Sequence, residues 1–489
     1  MPFAFDPTYS RLPARFYARV KPTRVARPSL LAVNAELAEL LHLTRDELTS
    51  PEGVEILAGN RLPEGADPIA LAYAGHQFGG FVPQLGDGRA ILLGEVVGRD
   101  GRRYDVQWKG TGRTPFSRGG DGRAALGPVL REYVVSEAMA ALGVPTSRAL
   151  AAVRTGEVVH RETPLPGAVL TRVASSHIRI GTFQFFAARE DDAAVALLID
   201  HALARHYPDA PKDDGPALTL LEAVMSAQAK LVARWLAVGF VHGVMNTDNM
   251  SISGETIDYG PCAFLDTFDP KRTFSSIDAN GRYAFASQPR IALWNLARFA
   301  ETVLPLVNDD NERAAAILTE RLETFPARFA AAYTAELRRK LGLVTPRGDD
   351  TALAQALLDE MAANGVDYTL CFRRLGEVAA GRDEAHVADL FKEPARFLDW
   401  AKAWRKRLEE DGDTSPAERA ALMLRANPAF IPRNHRIEEM IAAATAGDMD
   451  PFERLCRVLA RPYEDQPADS ELMAPPGEEQ WAYRTFCGT

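Results

Sequence analysis

The chain has 489 residues, enough for roughly two to four compact units with a large core and no need of covalent staples. Hydrophobic residues make up 46% and charged residues 25%, an ordinary globular balance, and the formal net charge of −10 argues against general nucleic-acid or anionic-membrane binding. The four cysteines (Cys262, Cys371, Cys456 and Cys487) form no C-x-x-C pair, which argues against a zinc site or disulfide scaffold and fits a reducing compartment.

Residues 1–10 carry no basic segment followed by an apolar core, and no apolar run approaches ~18 residues. Neither a secretory signal nor a membrane span is expected, and the expected location is the cytoplasm. Up to about residue 70 the character is mixed. Arg11, Arg15, Arg19, Lys21, Arg24 and Arg27 sit among aromatics and prolines and read as a solvated arm packed on the main body. Asn34 to Leu43 reads as a short helix with Leu37, Leu40 and Leu41 on one side.

The pattern changes at about Leu71. Ala90 to Val97 is an apolar, branched run that ends at Gly98-Arg99-Asp100-Gly101. Tyr104, Val106 and Trp108 then alternate with Asp105, Gln107 and Lys109, so a β-hairpin is expected with Lys109 on its polar face. A glycine-rich loop, Gly110 to Gly127, follows. Pro128 is expected to open a helix that stops at Gly143. Further strands are expected between Arg148 and Val173.

From about Ile178 the pattern turns helical. Thr219-Leu-Leu-Glu222 reads as a capping box opening a helix that runs to Gly239. After Pro289 the chain is a series of Ala/Leu/Arg-rich periodic segments. Linkers are expected at Tyr207–Pro216, Pro346–Asp350 and Asp465–Glu479. The expected fold is α+β, a β-rich front followed by a helical back half. The expected units are 1–70, 71–177, 178–345 and 346–489.

Five features then fall in a telling order. Gly86 and Gly88 lie just before the first hairpin strand, where glycines let backbone N–H groups approach phosphates. Lys109 on the second strand can hold phosphate oxygens, and Glu132 on the next helix can hold the lysine by an ion pair. Asn249 and Asp258 offer hard oxygen ligands for Mg²⁺. Asp248 is a carboxylate beside them, able to accept a proton from an incoming hydroxyl. Arg89, Arg113, Arg118, Arg123, Arg172 and Arg179 gather in or beside the β part, where they could pair with phosphates.

This order resembles that of protein kinases: glycine loop, strand lysine, helix glutamate, catalytic loop, D-F-G. His242 and Asn249 are seven residues apart, as in the kinase catalytic loop, and Asp258-Tyr259-Gly260 stands in for D-F-G. The resemblance implies a two-lobed fold, with 71–177 as a nucleotide-binding N-lobe, 178–345 as a helical C-lobe, and extensions on either side. One departure matters. The kinase base falls at Val244, which takes no proton. The nearest carboxylate is Asp248.

Longer strings carry a closer resemblance: 5–20 (FDPTYSRLPARFYARV), 73–91 (YAGHQFGGFVPQLGDGRAI), 107–133 (QWKGTGRTPFSRGGDGRAALGPVLREY), 241–261 (VHGVMNTDNMSISGETIDYGP) and 427–435 (NPAFIPRNH). They are similar to the selenoprotein O family of pseudokinase adenylyltransferases. The resemblance implies an ATP flipped relative to kinases, with AMP (in some members UMP, from UTP) moved onto Ser, Thr or Tyr hydroxyls of proteins. It implies that Gly86, Gly88, Arg89, Lys109, Asp121, Gly122, Arg172, Arg179 and Asp258 contact the nucleotide. It further implies that Glu132 pairs with Lys109, that Asp248 is the base, and that Asn249 and Asp258 bind Mg²⁺ or Mn²⁺. Family members carry a selenocysteine or cysteine near the C-terminus, where Cys487 lies, and redox control would pair it with Cys262. Two other readings stay open: a kinase moving the γ-phosphoryl, and a nucleotide-binding scaffold without catalysis.

Overall fold

The computed structural model describes residues 3–211, 213–412 and 414–477. Its strands are β1 (Tyr17–Arg19), β2 (Ser29–Val33), β3 (Ile69–Leu71), β4 (Gly75–Gln77), β5 (Gly80–Val82), β6 (Ala90–Val97), β7 (Arg103–Lys109), β8 (Ala124–Ala125), β9 (Arg148–His160), β10 (Pro164–Ala174), β11 (Phe240–Val241) and β12 (Ala263–Phe264). Eight of them form one antiparallel sheet in the order β1-β3-β6-β7-β10-β9-β2, with β8 on β10. The expected hairpin is β6–β7. The segment before residue 71 supplies both edge strands, β1 and β2, so it is woven into the sheet.

Alternation along β7 follows from its two different surroundings, but neither surrounding is solvent. Trp108 and Val106 enter an apolar core with Leu93, Val96 and Val169. Asp105 and Gln107 on the other side are also buried. Arg205 donates to the Asp105 carboxylate at 2.6 Å, and His177 Nδ1 lies 3.0 Å from it. Gln107 Nε2 donates to Asp87 at 3.3 Å. The polar face is polar because it meets charged partners inside the protein.

The helix after the glycine-rich loop spans Leu126–Ala141, two residues earlier than Pro128 suggests. Proline is tolerated in the first turn because its missing N–H has no intrahelical partner there. The helix lies between the sheet and two helices from the far end of the chain, Asn434–Ala446 and Asp450–Leu459. Tyr133 meets Phe452 with ring centres 5.6 Å apart. Arg131 reaches further still. It donates to Glu438 at 3.1 Å, to Asn434 at 2.8 Å, and to the carbonyls of Gly260 and Cys262.

The long helix expected at Thr219 begins a turn earlier, at Pro216, behind Gly215 with φ +86°. Proline at the first position fixes the helical φ. The Thr219 hydroxyl donates instead to the Pro211 carbonyl at 2.9 Å, so no capping box forms. The stretch expected as a terminal linker contains a 3₁₀ turn, Pro467–Met473, pinned by Arg454 and Arg457 on the buried Asp469. No helix among the described residues is long and apolar enough to cross a membrane. Cys487 lies outside the described residues; Cys262, Cys371 and Cys456 are free thiols.

The packing of Phe452 on Tyr133 makes a test of this arrangement. Phe452→Ala is expected to cost roughly 3–5 kcal/mol, read as an earlier urea unfolding midpoint. A loss under ~1 kcal/mol would separate the C-terminal helices from the unit that contains the sheet.

Candidate active site

Lys109 ends β7, and Glu132 lies on the buried face of the helix Leu126–Ala141. Their side chains meet at 2.6 Å. Arg172 on β10, directly beside β7, donates to the other Glu132 oxygen and, at 2.7 Å, to Asp258 Oδ1. Arg179 Nη1 holds Asp258 Oδ2 at 3.1 Å and the Asp248 carbonyl at 3.0 Å. Lys109 Nζ is 3.9 Å from Asp258. Burial alone would push the Asp258 carboxyl up, but Arg172, Arg179 and Lys109 outweigh it and hold it well below the usual carboxylate range. Asp258 sits at φ +59°, a costly conformation for a residue with a Cβ, and the kind of strain found at functional sites.

The short pair β11–β12 closes the loop that carries the remaining residues. His242 is buried. It takes the Gln288 side chain on its N–H, and its Nε2 lies 3.0 Å from the Ile257 carbonyl, so it shapes the loop. Asn249 Nδ2 donates to the Val244 carbonyl at 2.9 Å, which leaves its Oδ1 as the free end of the amide. Burial pushes the Asp248 carboxyl up to about 6, partly offset by Arg179. Its Oδ1 is buried with no hydrogen-bond partner among the described residues, and its Oδ2 accepts from Gln77 Nε2 at 3.4 Å. A carboxylate titrating near working pH with a free oxygen is suited to accept a proton.

The two glycine loops meet opposite. Gly86 has φ +80°, and a Cβ there would strike the Phe116 ring at 2.3 Å. A Cβ on Gly122 would lie 2.0 Å from the Gly112 carbonyl oxygen. Both glycines are thus required by packing, apart from any phosphate. Asp121 is gripped at both oxygens by Arg161, at 2.9 and 3.1 Å. Gly86, Gly88, Arg89, Lys109, Asp121, Gly122, Arg172, Arg179, Asp248, Asn249 and Asp258 line one cavity of about 1040 Å³, together with Arg113, Arg118 and Arg123. Glu132 is set back behind Lys109 and Arg172.

Sequence reasoning gave no role to several residues found here. Asp87, Tyr73 and Arg161 line the cavity, and Arg179 lies over the Tyr73 ring at 4.4 Å. The hairpin β4–β5 lies against the loop that carries Asp248, with the His76 N–H on Thr247 and the Phe78 N–H on Asn246. The only signal for it is the glycine-bracketed G-H-Q-F-G-G at 75–80. Asn249 Oδ1 and the Asp258 carboxylate are hard oxygen donors and fit Mg²⁺ or Mn²⁺. Among the described residues no group of three or more His, Cys, Asp or Glu side chains could cage a metal. Cys262 is buried, which pushes its thiol up to about 11.

A family model described as protein adenylyltransferase SelO matches residues 1–460. The chain belongs to the SelO family. Among its relatives is "Protein nucleotidyltransferase YdiU" of Bradyrhizobium sp. (strain ORS 278), 61% identical over 488 residues, covering 100% of this chain and 99% of that one. A protein of the same name in Methylorubrum extorquens is 62% identical over 496 residues with the same coverage. That of Rhodopseudomonas palustris (strain BisB18) is 59% identical over 488 residues, again with the same coverage. The SelO family match spans the sheet, the loop of Asp248 and the helices Asn434–Ala446 and Asp450–Leu459 that brace the helix of Glu132.

Gly75 gives this site a sharp test. A Cβ there would lie 2.8 Å from Asp248 Oδ1 and 3.0 Å from its Cβ. Gly75→Ala is expected to displace the carboxylate and lower kcat about 10²-fold, because misplacement of a catalytic group by ~1 Å has that effect. ATP affinity should stay near wild type. A kcat within twofold of wild type would show that the Asp248 position is not critical.

Proposed function

We propose that this chain moves AMP, or UMP, from a nucleoside triphosphate onto Ser, Thr or Tyr hydroxyls of other proteins. As a SelO-family enzyme it is a protein nucleotidyltransferase. The kinase-like reading of its layout, with 71–177 and 178–345 as lobes, rests on the motif order and on the sheet-then-helices sequence of elements. The cytoplasm is its proposed location. The observation that carries the chemistry is that Val244 stands where a kinase has its base, while Asp248, buried and raised to about 6, lines the same cavity as Lys109, Arg172, Arg179 and Asp258.

In this reading the acceptor hydroxyl oxygen attacks the α-phosphorus. The bond from the α-phosphorus to the bridging oxygen breaks, pyrophosphate leaves, and the hydroxyl proton passes to Asp248. Lys109, Arg172 and Arg179 present fixed positive charge to the phosphates, so little reorganisation is needed as negative charge develops. Glu132 holds Lys109 and Arg172 in place from behind. Asn249 and Asp258 would hold Mg²⁺ or Mn²⁺, which neutralises the phosphates when bound. The glycine loops and Asp121 border the same cavity.

Two measurements test the reading. With ATP labelled at the α- or the γ-phosphate, plus Mg²⁺ or Mn²⁺ and a protein acceptor, α-label alone is expected on protein. γ-Label without α-label would make the chain a kinase, and neither label with retained nucleotide binding would make it a scaffold. Separately, Asp248→Asn should lose roughly 10²–10⁴ in turnover with ATP affinity retained. Equal loss of ATP binding would move Asp248 from base to binding residue.

A further inference from the structure

The hairpin β4–β5 faces two ways. Its inner strand and the turn that follows are bonded to the loop that carries Asp248, through His76 on Thr247 at 2.7 Å and Phe78 on Asn246 at 3.0 Å. Asn246 also accepts from the Tyr283 hydroxyl at 2.7 Å, so one side chain fixes the hairpin tip and residues 282–283 at the same spot. The outer strand, β5, pairs with β4 alone, and its other edge carries no strand among the described residues.

The rim here is apolar and exposed. Phe78 and Phe81 are 38% and 41% exposed, and Ile277 is 63% exposed. Phe78 and Ile277 line the cavity that holds Asp248. Phe81, outside that lining, packs on His76 at 4.9 Å, and His76 meets Trp294 at 5.3 Å; single exposed apolar side chains are ordinary, but several around one hairpin mark an interaction surface. Beside them is Arg282. A Cβ on Gly79 would lie 3.8 Å from its guanidinium. The guanidinium stacks over Trp294 at 4.7 Å and over Tyr283 at 5.6 Å, and its Nε is buried without a hydrogen-bond partner among the described residues. Among those residues no carboxylate forms a salt bridge with it, although the chain as a whole carries a net charge of −10. Aromatic faces hold this cation in place without neutralising it.

We propose that Phe78, Phe81, Ile277 and Arg282 form the docking surface for the acceptor protein. The occupant is an extended segment that carries a bulky apolar side chain and an acidic side chain close to the modified hydroxyl. This rests on the nucleotidyltransferase reading. The hydroxyl must come within hydrogen-bond reach of Asp248. Gln77 already touches Asp248, so a segment bound there passes directly over residues 77 and 78. With a rise of ~3.3 Å per residue, its next few side chains meet the aromatic rim, and its backbone can pair along the open edge of β5. The arginine supplies charge complementarity for the acidic residue.

The test is a library of Ser-, Thr- and Tyr-centred peptides with flanking positions varied one at a time, incubated with α-labelled ATP. Wild type should label peptides with Leu, Ile or Phe and Asp or Glu in the flanks about tenfold better than those with Ala or Lys, as expected for burying one apolar side chain. Phe81→Ser should raise KM for the favoured peptides about tenfold and leave ATP affinity unchanged. Arg282→Glu should turn the preference from acidic to basic flanks; if it fails to fold, Phe81→Ser carries the test. Labelling that ignores the flanks, or unchanged KM in both variants, overturns the proposal. So does a dimer in light scattering that Phe81→Ser dissolves, which would assign the rim to a second copy. Absence of α-label from every peptide and from the chain itself would instead overturn the transferase reading.

Discussion

Two carboxylates and three cations joined in one ion-pair network form the constraint on which the rest of this structure depends. Glu132 and Asp258 share Lys109, Arg172 and Arg179 within 3.9 Å, with Arg172 bonded to both. A buried ion pair gives little net stability, but stripping one partner from it costs roughly 3–5 kcal/mol, because the other charge is left stranded. The network therefore cannot be half built. β7, β10, the helix Leu126–Ala141 and the loop after β11 must all arrive before all of these charges are satisfied. Within this network three cations meet two carboxylates, an excess of one positive charge.

The parts of this network that depend on short-range pattern were readable in the sequence. Lys109 follows a period-two strand, Glu132 lies in a helix announced by proline and glycine, Asn249 follows His242 at kinase spacing, and Asp258 opens the Asp-Tyr-Gly triplet nine residues later. Alternation showed that β7 has two unlike faces, yet it could not say that the polar face is dry, because Arg205 and His177 come from residues about 70 to 100 positions away. The hairpin β4–β5 was missed because its three-residue strands carry almost no periodic signal. Arg131 was missed because its partners, Asn434 and Glu438, lie about three hundred residues downstream. Local rules have nothing to say about such pairs.

The glycines show that one residue type can answer two demands. Gly86 and Gly122 suggest phosphate approach when read along the chain. In space they also remove clashes with Phe116 and Gly112 that a methyl group would create. Gly75 is a third case: its missing side chain makes room for the Asp248 carboxylate. A glycine-rich sequence therefore marks close packing around this cavity as much as contact with a ligand.

The helix that carries Glu132 is held on both sides, by the sheet in front and by Asn434–Ala446 and Asp450–Leu459 behind, with Arg131 tying it to the loop after Asp258. In protein kinases the helix that bears the lysine's glutamate partner is a control point, because the lysine–glutamate pair must be in place for transfer. Here, swinging that helix outward would open a core that includes Leu130, Val134, Met440 and Phe452. Folding and assembly of the lysine–glutamate pair thus become one event. A chain built this way has no spare hinge behind Lys109, so the ion pair with Glu132 is set in place by the fold itself.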